Sequence, residues 1–275
     1  MIDAVQSRQT QYGDWRVVLG SFIIESIGFS ATHAMAAILR DQPNFHVTHG
    51  SRNFKEGGRI GVNNLSVTDF VSQMQDAEEA NDHCVAIHCL YPPETVAQEA
   101  KKKGVVFYGL CRKDTRGQVL SGFFWALKKF LYGSPDMGQH AFAILQKHGN
   151  SLKNLNISPN YMSALMLYSL QRVVSFNLEL AKNSEGIIFM EDFLTHPGEF
   201  LGLFDLQPSD DEKIDVPRTV SHRKQSSQHE FLIDYEETLD TLMAAVSFPF
   251  ENNQIKCSDV RGLIAKKSVL NPRVA

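Results

Sequence analysis

Several short stretches of the chain combine residue types that can hold an anion and move a proton. The apolar run Phe22 to Ser26 (FIIES) ends at Ile27-Gly28-Phe29-Ser30, and Thr32 to Arg40 (THAMAAILR) then has the pattern of a helix. A loop that leaves a strand and opens a helix offers backbone N–H groups and the positive end of the helix dipole. Gly28, Phe29, Ser30, Ala31, Thr32 and His33 are therefore a candidate phosphate-holding loop. A plain helix cap by Ser30 or Thr32 is the other reading of the same residues. His88 directly follows the apolar run Cys84 to Ile87 and precedes Cys89-Leu90-Tyr91-Pro92-Pro93, where the chain must turn away from a sheet. An imidazole there can take a proton from an alcohol or amine near neutral pH, a role worth about 10² to 10⁴ in rate, or it can be a satisfied structural histidine. A metal site built from His83, Cys84, His88 and Cys89 is disfavoured, because adjacent strand residues point to opposite faces.

Two further clusters are basic. Arg112 follows the run Val105 to Leu110 (VVFYGL), and Ser121 stands nine positions later near the start of the next helical segment. A guanidinium fork with a hydroxyl at a helix N-terminus suits a phosphate, and a solvated arginine is the alternative. His222-Arg223-Lys224-Gln225-Ser226-Ser227 places cations and hydroxyls in one loop, which either clamps a second phosphate or is simply solvated.

The elements that must position these residues alternate. Short continuous apolar runs at Phe22–Ser26, Cys84–Ile87, Val105–Leu110 and Gly186–Met190 read as buried strands. Thr32–Arg40, Pro93–Lys103, Val119–Phe130 and Tyr161–Ala181 read as helices. This predicts an α/β protein with a central, mainly parallel sheet and ligands beyond the carboxyl ends of the strands. Ser51–Val62, Gly-rich and basic, reads as a loop able to act as a mobile lid. Gln207–Lys213 reads as a second loop, and Ala265–Ala275 as a weakly ordered tail.

Composition bounds the function. With 275 residues, 43% of them hydrophobic, the chain reads as a single domain spanning residues 1–275, and its net charge of −4 gives no general attraction for nucleic acid or an anionic membrane. No apolar run reaches the ~18 residues that span a bilayer, and the N-terminus lacks a secretory pattern, so a cytoplasmic protein is expected. The four cysteines form no CxxC pair and read as reduced, packed thiols.

Taken in chain order, these pieces resemble the PAPS-dependent sulfotransferase family from about Phe22 to Tyr235. SIGFSATHAMAAIL resembles the family's 5'-phosphosulfate loop: Ser30 and Thr32 keep the family's residue types, whereas Phe29 stands where a basic residue is usual, Ala31 where Gly is, and His33 where a second Thr is. AIHCLYPPETV is similar to the segment that carries the catalytic histidine, which falls on His88. LCRKDTRGQVLSGFF resembles the 3'-phosphate motif, with Arg112 and Ser121 on that phosphate and a spacing one residue longer than usual. FMEDFLTHPGEFLGLF is similar to the family's late strand segment, with Met190 where Tyr is common. SHRKQSS resembles the loop that closes over the 3'-phosphate through Arg223 and Lys224, with Gln225 in place of Gly.

The resemblance implies a three-layer, P-loop-like α/β fold and no metal. The cofactor would be 3'-phosphoadenosine 5'-phosphosulfate (PAPS), with adenosine 3',5'-bisphosphate (PAP) as product. His88 would be the base and His33 a second catalytic group. His33, Lys55 or Arg52 would supply the positive charge that Phe29 lacks. Phe123, Phe124, Trp125, Tyr132 and Tyr161 would either line an acceptor pocket or, as is commoner at helical spacing, form core. The size and divergent loop resemble the small cyanobacterial enzymes that tailor toxins of the saxitoxin type, which implies natural-product tailoring of a small-molecule acceptor; a cationic acceptor would call for an acidic pocket residue. A small-molecule kinase would need GxxxxGK[ST], and no Gly-Lys pair occurs. A sulfotransferase-like nucleotide binder without catalysis is the other alternative.

Overall fold

The computed structural model describes residues 20–78, 83–204, 206 and 232–270. In chain order the elements are β1 (Gly20–Glu25), α1 (Thr32–Arg40), β2 (Phe45–His49), α2 (Val67–Glu78), β3 (His83–Ile87), α3 (Pro93–Lys103), β4 (Val106–Cys111), α4 (Thr115–Leu131), α5 (Pro135–Asn154), α6 (Tyr161–Asn183), β5 (Gly186–Phe189), α7 (Met190–Thr195), α8 (Pro197–Gly202), α9 (Tyr235–Ala245), β6 (Ser247–Phe250), β7 (Asn253–Lys256) and α10 (Cys257–Ala265). They form two compact units. The first comprises the residues up to 111 with 180–219 and the C-terminal 267–275; the second comprises 112–179 and 220–266.

The first unit is built on a five-stranded sheet in the order β2-β3-β1-β4-β5, with every pairing parallel. The α/β class with a central parallel sheet is thus as predicted. β1, β3, β4 and β5 are continuous apolar runs because helices cover both faces of the sheet. On one face Phe22, Ile24, Val85, Ile87, Val106, Leu110 and Ile188 pack with Met35, Ile38 and Leu39 of α1 and with Phe193, Phe200 and Phe204 from the α7–α8 region. Phe22 and Phe204 meet edge to face, ring centroids 4.6 Å apart. Fully burying one such side chain contributes about 1.5–3 kcal/mol. On the other face α2 and α3 contact β1, β3 and β4, and the end of α6 comes so close that a Cβ on Gly109 would lie 3.1 Å from Leu180 Cβ. The result is three layers.

Phe45–His49 (FHVTH) was not predicted as a strand. It is the sheet's edge and only partly buried, so two histidines and a threonine break the apolar run that marks the inner strands. The Ser51–Val62 segment is irregular, as expected. Its first half is anchored rather than lid-like: Phe54 is buried, and the Gln73 side-chain oxygen accepts the N–H groups of Phe54 and Lys55.

The second unit contains α4, α5, the long α6, α9, the β6–β7 hairpin and α10. Ser169 Oγ donates to Val119 O, Asn177 donates to Gln118, and Arg116 pairs with Asp240, which ties α4 to α6 and α9. Phe123 and Phe124 are buried and belong to its core. The four cysteines are buried and unbridged. No helix among the described residues is long and apolar enough to cross a membrane.

Residues 267–270, within the segment predicted as a loose tail, are instead docked. Ile187 N–H donates to Lys267 O, Val269 N–H donates to Ile187 O, and Ser268 forms a parallel bridge with Ile187. The outer edge of β5 would otherwise expose its backbone groups, and burying Val269 and Leu270 adds the apolar gain. A Cβ on Gly186 would overlap Val269 Cγ1. Gly186→Ala is therefore expected to lower stability by about 1–3 kcal/mol in urea unfolding. Adding Val269→Ala should recover part of that loss. Strictly additive losses would show that the segment is not docked against Gly186.

Candidate functional site

The loop after β1 closes on itself. Gly28 N–H donates to Ser26 Oγ (3.0 Å), Ser30 Oγ donates to Gly28 O (3.1 Å), and the two hydroxyls lie 3.3 Å apart. Both serine side chains are thereby engaged within the loop, and neither Ser30 nor Thr32 caps α1. The N-cap residue is Ala31, in the left-handed region (φ 57°, ψ 28°) and without a side-chain cap bond. Gly28 (φ 95°) and Phe29 (φ 62°) also have positive φ. Ala31 thus occupies a glycine-type conformation at the position where the resembling family has Gly. The helix-cap reading is overturned, and the run of left-handed residues turns the backbone sharply at the carboxyl end of the central strand.

His88 lies at the neighbouring strand end, also left-handed (φ 59°). Its backbone N–H donates to Ile24 O (3.0 Å), and its ring Nδ1 lies 2.8 Å from Ser26 O. A carbonyl can only accept, so Nδ1 carries the proton and Nε2 is the basic nitrogen of the neutral ring. The ring sits over the loop: a Cβ on Gly28 would lie 3.3 Å from His88 Cε1, which is why that position needs glycine. The structure therefore brings His88 together with the Gly28 loop, as the sequence motifs required.

His49, the last residue of β2, was missed from sequence. Its ring stacks against His88 (centroids 5.7 Å, interplanar angle 26°) and lies 4.1 Å from that of His33 on α1. The last residue of β2, the first residue after β3 and the helix that follows β1 thus supply a row of three imidazoles at the ends of three adjacent strands. Burial, reinforced by His33, His88 and Arg40, lowers the His49 pKa to about 3, so His49 stays neutral, and its buried Nε2 has no hydrogen-bond partner among the described residues. The signal available was FHVTHG, a histidine followed by a strand-ending glycine, but only the strand order shows what lies beside it.

Of the replacements named for the basic residue absent at Phe29, two are engaged elsewhere. Arg52 donates through Nε to Cys89 O (2.9 Å) and through its terminal nitrogen to Leu90 O, with its guanidinium 4.5 Å from the Tyr91 ring centroid. Lys55 pairs with Asp76 on the exposed side of α2 (3.0 Å). His33, exposed at the first turn of α1, is left. Glu25 was missed as well. Wholly buried at the end of β1, it accepts the Ser26 N–H (3.1 Å), and burial raises its pKa to about 8 against the lowering effect of the Leu90, Ser26 and Tyr91 N–H groups and of Arg52.

In the second unit Arg112 reaches Ser121 Oγ (3.4 Å) and Asp114 (3.3 Å), while Asp114 caps α4 by accepting the Gly117 N–H (2.8 Å). Arg112 and Ser121 are thus adjacent, but α4 begins at Thr115 rather than near Val119, so Ser121 lies in its second turn and not at its N-terminus. Tyr132 is 80% exposed among the described residues. Tyr161 stacks on Phe130 and Trp125 lies beneath Arg172. An open groove of about 420 Å³ in this unit is lined instead by Leu155, Ile157, Ser158, Asp234, Glu237 and Thr238 among others. Arg223, Lys224 and the Gln207–Lys213 loop lie outside the described residues. Among the described residues no group of three or more His, Cys, Asp or Glu side chains is arranged to hold a metal ion.

Two titrations follow with opposite sign. Glu25 keeps its proton in the folded chain above the pH at which the unfolded chain loses it, so its contribution is full below about pH 4.5 and is lost as pH rises through about 8. His49 is deprotonated when folded, so its contribution is full above about pH 6.5 and is lost as pH falls toward about 3. Thermal melts across this range should therefore show a shallower decline toward pH 8 in Glu25→Gln and a shallower decline toward acid in His49→Gln. Slopes equal to those of the wild type would refute the assignment. Ala31→Gly should raise stability by roughly 1 kcal/mol by relieving the left-handed alanine; no gain in the same melts would count against that strain.

No protein-family model and no curated protein matches the chain. Among solved structures, mouse sulfotransferase SULT7A1 complexed with PAP is similar over 91% of this chain and 76% of that chain, with 14% sequence identity and a TM-score of 0.38.

Proposed function

We propose that this chain is a single-domain cytoplasmic sulfotransferase that moves the sulfuryl group of PAPS to a hydroxyl or nitrogen of a small acceptor. The observation that carries the reading is the juxtaposition of the left-handed Gly28–His33 loop with His88, whose Nδ1 is committed to Ser26 O, in the order of motifs that the sequence predicts. PAPS supplies an activated sulfuryl group on a phosphate leaving group. The residues suit such a ligand: the loop has the glycine-type backbone turn of a phosphate cradle, and His33 stands at its rim. His88 Nε2 takes the acceptor's proton as the acceptor oxygen or nitrogen bonds to sulfur and the bond from sulfur to the phosphate oxygen breaks. His33, in its cationic form, donates a hydrogen bond to the departing phosphate oxygen. Arg112, Ser121, Arg223 and Lys224 are assigned to the 3'-phosphate by the motif resemblance. The acceptor in this reading is a natural product, with a saxitoxin-type toxin as the specific case. The Phe29 substitution favours one second reading, a PAP-binding protein without turnover.

Calorimetry with PAP, with ATP as control, tests the cofactor. PAP alone should bind, and Arg112→Ala should weaken it roughly 10- to 150-fold, the worth of one hydrogen bond to a charged group. Binding of ATP alone, or of neither nucleotide, would sink the reading. With PAPS and a panel of guanidinium-bearing and hydroxylated acceptors, His88→Ala should lower turnover about 10²- to 10⁴-fold while PAP affinity is kept. PAP binding with no turnover on any acceptor would select the non-catalytic reading. The rate should rise and then fall with pH, because one histidine works protonated and the other neutral; a flat profile between about pH 6 and 8 would exclude that division of roles.

A further inference from the structure

The His88 turn is held from two sides by groups outside the reaction. Three consecutive residues at the end of β1 and the start of its loop, Ile24 to Ser26, face it. Ile24 O accepts the His88 N–H, Ser26 O accepts the ring Nδ1–H, and the wholly buried side chain of Glu25 between them accepts the Ser26 N–H (3.1 Å). From the opposite side Arg52 donates to the carbonyls of Cys89 and Leu90 and stacks on Tyr91. Tyr91 is fixed in turn: its hydroxyl donates to Leu65 O (2.8 Å), and Leu65 N–H donates to Arg52 O (3.0 Å). Arg52 therefore serves the acceptors of residues 89–90, and Glu25 fixes Ser26, whose carbonyl takes the His88 ring N–H. The turn needs this support, because His88 (φ 59°) and Leu90 (φ 57°) are both left-handed, a conformation that costs a residue with a Cβ about 1–3 kcal/mol.

We infer that Glu25 and Arg52 act as a clamp, Glu25 on Ser26 and Arg52 on residues 89–91, a pair of positioning residues that holds the His88 ring in the orientation in which Nδ1 meets Ser26 O and Nε2 faces the Gly28 loop. Neither side chain takes part in bond making. The clamp explains why a glutamate is kept in a wholly buried position and why an arginine next to a candidate anion site donates to carbonyls instead.

The kinetic arm rests on the sulfotransferase reading, and the spectroscopic arm stands without it. Uniformly ¹⁵N-labelled protein, without ligand, gives the Nδ1–H resonance of His88, assigned by its loss in His88→Gln. In Arg52→Met and Glu25→Ala this resonance should shift or vanish through faster exchange, while the cooperative melt is retained; Glu25→Gln, which keeps a carbonyl oxygen for the Ser26 N–H, should restore it at least in part. With PAPS, Arg52→Met should lower kcat at least tenfold and change the KM for PAPS less than twofold. If Glu25→Ala does not fold, Arg52→Met, whose side chain is only half-buried, carries the test. An unchanged His88 resonance in folded Arg52→Met overturns the clamp, and so does a changed resonance with unchanged kcat. Absence of sulfuryl transfer in the wild type, with the resonance changes intact, would overturn the reaction and leave the clamp standing.

Discussion

The two hydrogen bonds from His88 to the end of β1 organise the rest of this molecule. β1 is the middle strand of an all-parallel sheet, so the loops leaving β1, β2 and β3 emerge side by side at one end. Taking the backbone N–H of His88 on Ile24 O and its ring N–H on Ser26 O joins the first and third of these loops. Once the ring is placed there, the chain opposite has no room for a side chain, and Gly28 follows. The backbone must then recover its direction through Phe29, Ala31 and Leu90 in conformations that non-glycine residues rarely adopt. A core that is closely packed on both faces of the sheet makes such strain tolerable, because relaxing it would require moving buried strands.

The electrostatics of the strand ends depend on the same arrangement. Arginine and lysine near the loop are spent on structure: Arg52 on the carbonyls of the His88 turn, Lys55 on Asp76. Three neighbouring imidazoles stand there instead, and adjacent rings cannot all be charged. His49, in the middle and partly desolvated, is held neutral, which separates His33 at the rim from His88 at the loop. In the proposed reaction that separation lets one ring donate a hydrogen bond while the other accepts a proton.

Much of the architecture was legible in sequence because inner parallel strands and amphipathic helices have strong local signatures. FIIE, CVAI and GIIF lie in strands, and THAMAAILR and PETVAQEAKKK in helices, where periodicity placed them. Segments whose burial is one-sided were not legible. FHVTH becomes a strand because β3 offers it a partner, and Lys267–Val269 becomes an edge pairing because β5 has a vacant side. In both cases the deciding partner is far away in the chain, and local composition carries no trace of it.

By itself the sequence determined the α/β class, the position of the loop after β1, and His88 and the Arg112–Ser121 pair as candidates, since each depends on residues close together in the chain. Tertiary structure alone decided that Ala31 takes a glycine's conformation, that His88 is protonated on Nδ1, that His49 joins His33 and His88, and that Arg52 and Glu25 brace a turn. These properties arise from strand order. Parallel strands hydrogen-bonded side by side bring residues 25, 49 and 88 to one end of the sheet, and hydrogen-bond partners and desolvation, which set tautomer and charge, exist only once the sheet has formed.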